Sequence, residues 1–482
     1  MTRTWSTYQQ AIFSAVADPQ AGSLIVQAVA GSGKTTTIVE AMSRLPAGKA
    51  SLFLAFNKSI AESLKARGVN ARTYHSLCFT PVLRSCGQAK VEGNKLRTLV
   101  REWPRDLARD YGTAACKLVG LARNAGIGCL LPDTDAEWLA IAERHDVTPD
   151  TDAGNESGMV AAARRLMVEC DASPLCDFDD LLYRAVARNI PLPRYDVVFV
   201  DESQDSNAIN IALLRKVLAV GGRLVAVGDR AQAIYSFRGA FSDSMDRIAA
   251  EFDCRELPLS ISYRCARSVV KLAAQFAPIV PADTAPEGAV ISRGSWVPSD
   301  FSAGDLVMCR TNAPLIKLAY RMIRERLPFQ MMGRDIGAGL VTLINKLQPK
   351  GIDGLTDKLA AWEDREVAKA KARDNDALAA SISDKCESIR AVIESLPENN
   401  RTVPELCRTI ESLFNGTSGA VLCTVHKAKG LEADRAWILN YSKMPAKWAK
   451  KDWEKQAETN LLYVAITRAK ETLCLIEERC DD

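Results

Sequence analysis

Histidine is nearly missing from this sequence of 482 residues: only His75, His145 and His426 occur. So few imidazoles, spread so far apart, argue against a zinc enzyme. None of the fourteen cysteines stands in a CxxC pair. Cys78 with Cys86 and Cys170 with Cys176 come nearest to ligand spacing, but no second pair supports either, so the thiols read as reduced core residues. No apolar run approaches the ~18 residues of a membrane span. The opening MTRTWSTYQQ lacks the apolar stretch of a signal peptide, and the expectation is a cytoplasmic protein with no membrane attachment. An excess of one charge is missing too. Lys and Arg number 62 against 59 Asp and Glu, which excludes a histone-like polybasic binder while leaving room for a local basic groove. What is present is ordinary globular composition, 47% hydrophobic and 25% charged, in a length that suggests about three domains.

Short β-branched or apolar runs read as buried strands at 24–27, 52–56, 197–200, 224–227, 306–309, 421–424 and 436–439. Most are followed by a polar or glycine turn and then helical periodicity, the pattern of parallel α/β layers. Two stretches between them, about 80–176 and 340–415, read as helical. In the second, Leu378, Ile382, Ile389, Val392 and Leu396 fall near one helix face, and EDREVAKAKARDND reads as a solvated surface. No repeat of solenoid period and no low-complexity tail interrupts the chain. The expected class is therefore α/β, with two parallel-sheet cores each interrupted by a helical insertion.

The first chemical signal follows the strand at 24–27. Ala28-Val-Ala30-Gly31-Ser32-Gly33-Lys34-Thr35 leads into an apolar helical run at Ile38, Val39 and Met42. A phosphate loop needs small residues so that backbone N–H groups face the β-phosphate, a lysine to reach the β/γ oxygens and a hydroxyl for Mg²⁺. Gly31, Gly33, Lys34 and Thr35 supply these at a helix N-terminus, where the helix dipole also favours anions. Ala28 stands where the general pattern has its first glycine. The second signal is Val197-Val-Phe-Val-Asp201-Glu202, a buried strand ending in two acids. Asp201 is placed to hold the Mg²⁺ shell and Glu202 to polarise the attacking water. Together they read as a site for ATP and Mg²⁺ and leave the purpose of hydrolysis open.

The order of further motifs resembles the superfamily 1 DNA helicases of the UvrD/PcrA/Rep type along nearly the whole chain. AVAGSGKTT resembles motif I, LAFNKSIAESL motif Ia, TYHSLCF motif Ib and DESQD motif II, with DFDDLL at 177–182 like the segment that precedes it. VGDRAQAIYSFRGA resembles motif III, ISYRCARSVV motif IV, TVHKAKGLEADRAWIL motif V and LLYVAITRAKETL motif VI. LAFNK and IYSFRGA are closer to the compact phage-type and F-box-helicase-like branch. The resemblance implies two RecA-like cores: 1A at 1–79 and 177–253, and 2A at 254–339 and 416–482. Insertions 1B at 80–176 and a reduced 2B at 340–415 would interrupt them. At about 75 residues, 2B is too short to carry over the autoinhibition of the larger relatives. With the sequence ending soon after motif VI, no fused nuclease domain is expected.

The same resemblance implies residue roles. Gln9 (or Gln10, in the alternative register) would read the adenine edge, Tyr263 would stack on the base and Glu432 would bond the ribose. Gln232 would sense the γ-phosphate, and Arg264 and Arg468 would act on it as arginine fingers. Thr36 completes the nucleotide contacts where UvrD and PcrA have an arginine, so adenine contacts would be fewer. Thr459 and Asn460 stand where those proteins pair arginines. Phe56, Thr73, His75, Tyr235, Phe237, Arg238 and His426 would line the DNA track, with stacking faces and phosphate donors. Phe237 replaces a tryptophan common in relatives. The segment YSKMPAKWAKKDWEKQ interleaves five lysines with Trp448 and Trp453, and reads equally as a nucleic-acid contact and as a solvated helix with core-facing tryptophans. The implied function is an ATP-dependent translocase on single-stranded DNA and single/double-strand junctions, moving 3′→5′ in replication, repair or recombination. It would be a monomer with a possible replication or repair protein as partner. A filament-stripping translocase and an ATP-gated recruitment module are the alternatives.

Overall fold

The computed structural model of the chain describes residues 4–87, 91–151, 153–234 and 243–477. The chain divides into two compact units, Met1–Ala28 with Gly33–Leu259, and Val29–Ser32 with Ser260–Asp482. The first is built on β1 (Leu24–Ala28), β2 (Ser51–Leu54), β3 (Ala71–Arg72), β4 (Tyr195–Val200), β5 (Leu218–Gly228) and β6 (Arg255–Leu259). All pairs are parallel in the order β3-β2-β4-β5-β1-β6. The inner strands are nearly continuous apolar runs because both faces are covered. Ile12, Phe13 and Ile38 lie against one face, and Leu77, Leu214 and Ile248 against the other.

A short parallel pair, β7 (Ile261–Ser262) with β8 (Val280–Pro281), opens the second unit. Its main sheet comprises β9 (Ala289–Arg293), β10 (Leu306–Cys309), β11 (Phe329–Met331), β12 (Ala420–Thr424), β13 (Ala433–Leu439) and β14 (Ala469–Ile476). These too are parallel, ordered β11-β12-β10-β13-β14-β9. The two parallel α/β sheets expected from the strand pattern are thus present.

Both stretches read as helical are helical. The first holds the end of Tyr74–Cys86, then Lys95–Arg101, Arg105–Ala125, Asp135–Arg144 and Glu156–Ala172. The second holds most of Arg334–Leu347, then Ile352–Ala372, Asp376–Ser395 and Val403–Ser412. Two expectations need correction. The boundary at 253/254 falls too early, because β6 pairs with β1 as an edge of the first sheet. Leu378 does not join the buried face of Ile382, Ile389 and Val392; it is 40% exposed. Among the described residues, no helix is long and apolar enough to cross a membrane, the cysteines are free thiols, and no cluster of three or more His, Cys, Asp or Glu is arranged to hold a metal.

Candidate active site

Parallel strands align their carboxyl ends, and ligands of open α/β sheets gather there. In the first sheet β1, β5 and β4 are neighbours. Their ends lead into the loop 29–33, into Asp229 and into Asp201–Glu202, so three segments far apart in sequence share one rim. The turn after β1 depends on glycine: Gly31 and Gly33 have φ of +71° and +75°, a left-handed backbone that side chains disfavour. Gly33 is the N-cap of the helix Lys34–Ser43 and supplies no side-chain cap, which leaves first-turn N–H groups for an anion. Ala30 and Ser32 are buried; Gly31, Lys34, Thr35 and Thr36 are half-buried.

Thr35 Oγ1 lies 3.1 Å from Asp201 Oδ2. Burial pushes the Asp201 carboxyl up to about 6, and the Glu202 charge adds to this, while Lys34 and the Thr35 hydroxyl oppose it. A hydroxyl and a single carboxylate are hard oxygen donors, the protein's usual share of an Mg²⁺ shell that waters and phosphate oxygens complete. The donor set therefore fits Mg²⁺, and a divalent cation there would favour ionised Asp201.

Glu202 is a non-glycine residue at φ +51°, and its N–H donates to Asp201 Oδ1 at 2.9 Å. The turn Ser203–Asp205 follows, and Gln204 Nε2 donates to Glu202 Oε2 at 2.5 Å. Gln204 Oε1 in turn accepts from Asp229 N–H at 3.0 Å, and Asp229 Oδ2 accepts from Gln232 Nε2 at 2.6 Å. Burial raises the Asp229 carboxyl, opposed by the Lys34 charge and the Gln232 bond. One continuous hydrogen-bond chain thus joins Glu202 to Gln232. It requires a glycine at 228, since a Cβ there would lie 2.5 Å from Gln204 Oε1 and 2.6 Å from Ser203 Oγ. Gln204 and Asp229 are the residues whose part in the site sequence reasoning missed. Both sit inside quoted motifs, but nothing local reveals that they bond.

Gln9 is buried, accepts from Ser6 N–H and donates to Thr37 Oγ1 at 3.0 Å on the phosphate-loop helix. Gln10 is exposed and donates to the Trp5 carbonyl. On the DNA-track positions of this unit, Phe56 is 48% exposed. Thr73 caps the helix Tyr74–Cys86 by accepting from Ser76 N–H, and His75 stands edge-on to Phe178 with ring centroids 6.0 Å apart. Burial lowers the His75 pKa, favouring neutral imidazole. Tyr235, Phe237 and Arg238 lie outside the described residues.

In the second unit Tyr263 is 50% exposed. Arg264 Nε pairs with Glu432 Oε2 at 2.6 Å, and Lys470 Nζ lies 3.5 Å from Glu432 Oε1. The carboxylate expected to bond a ribose is here engaged by two cations. Arg468 is buried, donating to the carbonyls of Val464 and Leu431, each at 3.0 Å. His426 lies in the short helix Val425–Ala428 that follows β12. Trp448 of the lysine-rich segment has its ring centroid 5.5 Å from the guanidinium of Arg310, which also bonds the buried Glu458 carboxylate. Trp453 is half-buried at the start of the helix Asp452–Ile466.

Comparison with known proteins adds what geometry alone does not. The family model described as UvrD/REP helicase N-terminal domain matches residues 8–253, and that of the UvrD-like helicase C-terminal domain matches residues 381–479. The chain is 26% identical over 496 aligned residues to F-box DNA helicase protein 1 of Schizosaccharomyces pombe, covering 94% of this chain and 55% of that protein. To F-box DNA helicase 1 of Gallus gallus it is 26% identical over 493 residues, covering 93% and 47%. ATP-dependent DNA helicase UvrD1 of Mycobacterium tuberculosis aligns over 291 residues at 28% identity, covering 52% and 36%. The chain thus spans about half the length of the two F-box helicases and about a third of UvrD1.

Proposed function

The chain belongs to the UvrD/REP helicase family, and from that premise we propose that it hydrolyses Mg²⁺-bound ATP to move along single-stranded DNA and separate strands, 3′→5′. The observation that carries this reading is the hydrogen-bond chain from Glu202 through Gln204 and Asp229 to Gln232, set beside the Thr35–Asp201 pair. Mg²⁺ would be held on the protein side by Thr35 and Asp201, where it would supply neutralisation of phosphate charge. Lys34 and the N–H groups of 31–35 hold the phosphates. Glu202 orients and polarises the attacking water, and its own orientation is fixed by the Gln204 amide. Gln232, at the far end of the chain, senses the γ-phosphate, so that a shift there is transmitted to Glu202 through three hydrogen bonds.

Arg264 and Arg468 are the proposed arginine fingers. The Arg264–Glu432 ion pair is a resting contact for a guanidinium that a γ-phosphate would draw away. Gln9 serves the adenine edge, Tyr263 stacks on the base, and Glu432 reaches the ribose once Arg264 has left it. Phe56, Thr73, His75, Tyr235, Phe237, Arg238 and His426 form the proposed DNA track. Strand separation serves replication, repair or recombination.

The test is ATP turnover with and without single-stranded DNA. DNA is expected to raise the rate at least about tenfold, equivalent to about 1.4 kcal/mol of barrier. Glu202→Gln keeps nucleotide binding and falls below about a tenth of the parent rate, whereas Lys34→Ala loses binding as well. Rates unchanged by DNA would defeat the motor reading, and preferential unwinding of 5′-tailed duplexes would reverse the polarity.

A further inference from the structure

On elements that carry none of the residues named for ATP or DNA, the first unit has a groove of about 1170 Å³. It is lined by the turn at Leu130, the helices Asp135–Arg144, Ala208–Val217 and Ser244–Glu251, and the loop that leads into β4. Of its apolar lining, Leu130 is 44% exposed, Val186 and Leu192 are half-buried, and Ile141 and Ile211 are buried.

The charges in the lining are unbalanced: five are cations, and only Glu137 and Glu251 are acids. Arg215 is already paired with Glu251, and Arg247 with Asp243 outside the groove. Arg194 and Lys216 make no ion pair among the described residues. Lys216 Nζ is held by Asn189 Oδ1 at 2.5 Å, and burial and then the nearby Arg194 charge lower its pKa. Two cations that repel one another at the edge of an apolar surface are relieved by an incoming anion.

Duplex or single-stranded nucleic acid would meet the cations with phosphate but would set polar sugar and phosphate against the apolar lining. A peptide helix with one apolar stripe and acidic flanks satisfies both at once, the helix-in-groove mode of recognition. We propose that this groove docks an acidic amphipathic helix of a partner protein, with apolar side chains on Leu130, Val186 and Leu192 and carboxylates on Arg194 and Lys216. The proposal is independent of the ATP-driven reading.

A fluorescein-labelled peptide of about 18 residues tests it, with leucine at i, i+3, i+4 and i+7 spacing and glutamate predominating elsewhere. Its control is a scrambled isomer of the same composition, and binding to the whole chain is followed by anisotropy. The periodic peptide is expected to bind at least about tenfold more tightly than the isomer. Arg194→Glu combined with Lys216→Glu, and separately Leu130→Asp on its exposed turn, are each expected to remove at least about tenfold of that affinity. Thermal melting and DNA-stimulated ATP turnover should stay at parent values. Equal binding of the two peptides, or affinity indifferent to either variant, overturns the proposal. Loss of duplex DNA binding in the charge-reversed chain, with peptide affinity intact, would make the groove a nucleic-acid surface instead.

Discussion

The two helical insertions differ in how they are joined to their sheets. In the first, Trp103, Leu118, Trp138 and Leu166 pack into a core drawn entirely from that insertion, with no member in the apolar layers of the first sheet. In the second, Leu340, Leu355, Ile389, Leu406 and Phe414 belong to one apolar cluster with Val307, Met331 and Trp437 of the second sheet. The join of the first is a small apolar cluster around Cys78, Cys176 and Leu181, together with a buried network of charges. There Lys95 Nζ donates to Asp180 Oδ2 and to the Cys170 carbonyl, both at 2.6 Å. Arg123 pairs with Asp177 and Asp180, and Arg184 with Asp180. A shared core makes an insertion part of its sheet's cooperative unit. A separate core with a polar join leaves it free to open as a unit of its own.

Removing the hub of the polar join should have the largest effect. Asp180→Asn leaves Lys95, Arg123 and Arg184 buried with too little negative charge, which costs about 3–5 kcal/mol. In hydrogen exchange, protection should fall first over the first insertion and the helix Phe178–Ala187, with β10 and β13 unchanged. Parallel loss in the second unit would break the comparison.

Core truncations sharpen it. Leu118→Ala and Leu355→Ala each remove a fully buried side chain and should each cost about 2–5 kcal/mol. Leu355→Ala should weaken protection in β10 and β12, because its core is theirs. Leu118→Ala should leave β1 and β4 protected and a fluorescent ATP analogue bound as before. If Leu118→Ala instead loosens the first sheet, the insertion's core is not separate.

The smallest expected effect depends on pH. Burial first, and the Asp177 charge second, push the Asp179 carboxyl from 3.8 up to about 6. A folded-state value above the unfolded one means that protonated Asp179 favours the fold below about pH 4, a contribution lost as pH rises through 6. Asp179→Asn, which mimics the protonated form, should therefore raise the melting temperature at pH 8 by the equivalent of about 1 kcal/mol. The gain should vanish near pH 4. A gain that persists there would show that packing, not charge, sets the difference.

Much of the fold was legible in the sequence, unevenly. Of the seven strands read from apolar runs, all are found, because central strands of parallel sheets are buried on both faces. Outside those runs lie the short pair β7 and β8, the strands β3, β6, β9 and β11, which are outermost in the two main sheets and have less need of unbroken apolar sequence, and the inner strand β14, whose polar start AKET hides its buried second half. In β6, RELPL alternates exposed and buried positions, and Pro258 is tolerated because an edge strand has one side unpaired. That strand also displaced the expected boundary.

The sequence by itself determined the glycine turn after β1, the paired acids after β4 and the class of the fold, since the first two are local in a few contiguous residues and the third follows from the repeated order of apolar run, turn and helix. Only the tertiary structure decided which groups meet across that local order. Gln204 reaches Asp229 because β4 and β5 are neighbours with aligned ends. Glu432 bonds Arg264 although 168 positions separate them in the numbering. Lys95, of a residue type seldom buried, is fully buried because Asp180 and the Cys170 carbonyl replace its water. Such partners are fixed by packing, where a buried charge must find its counterpart at whatever distance along the chain the fold supplies it.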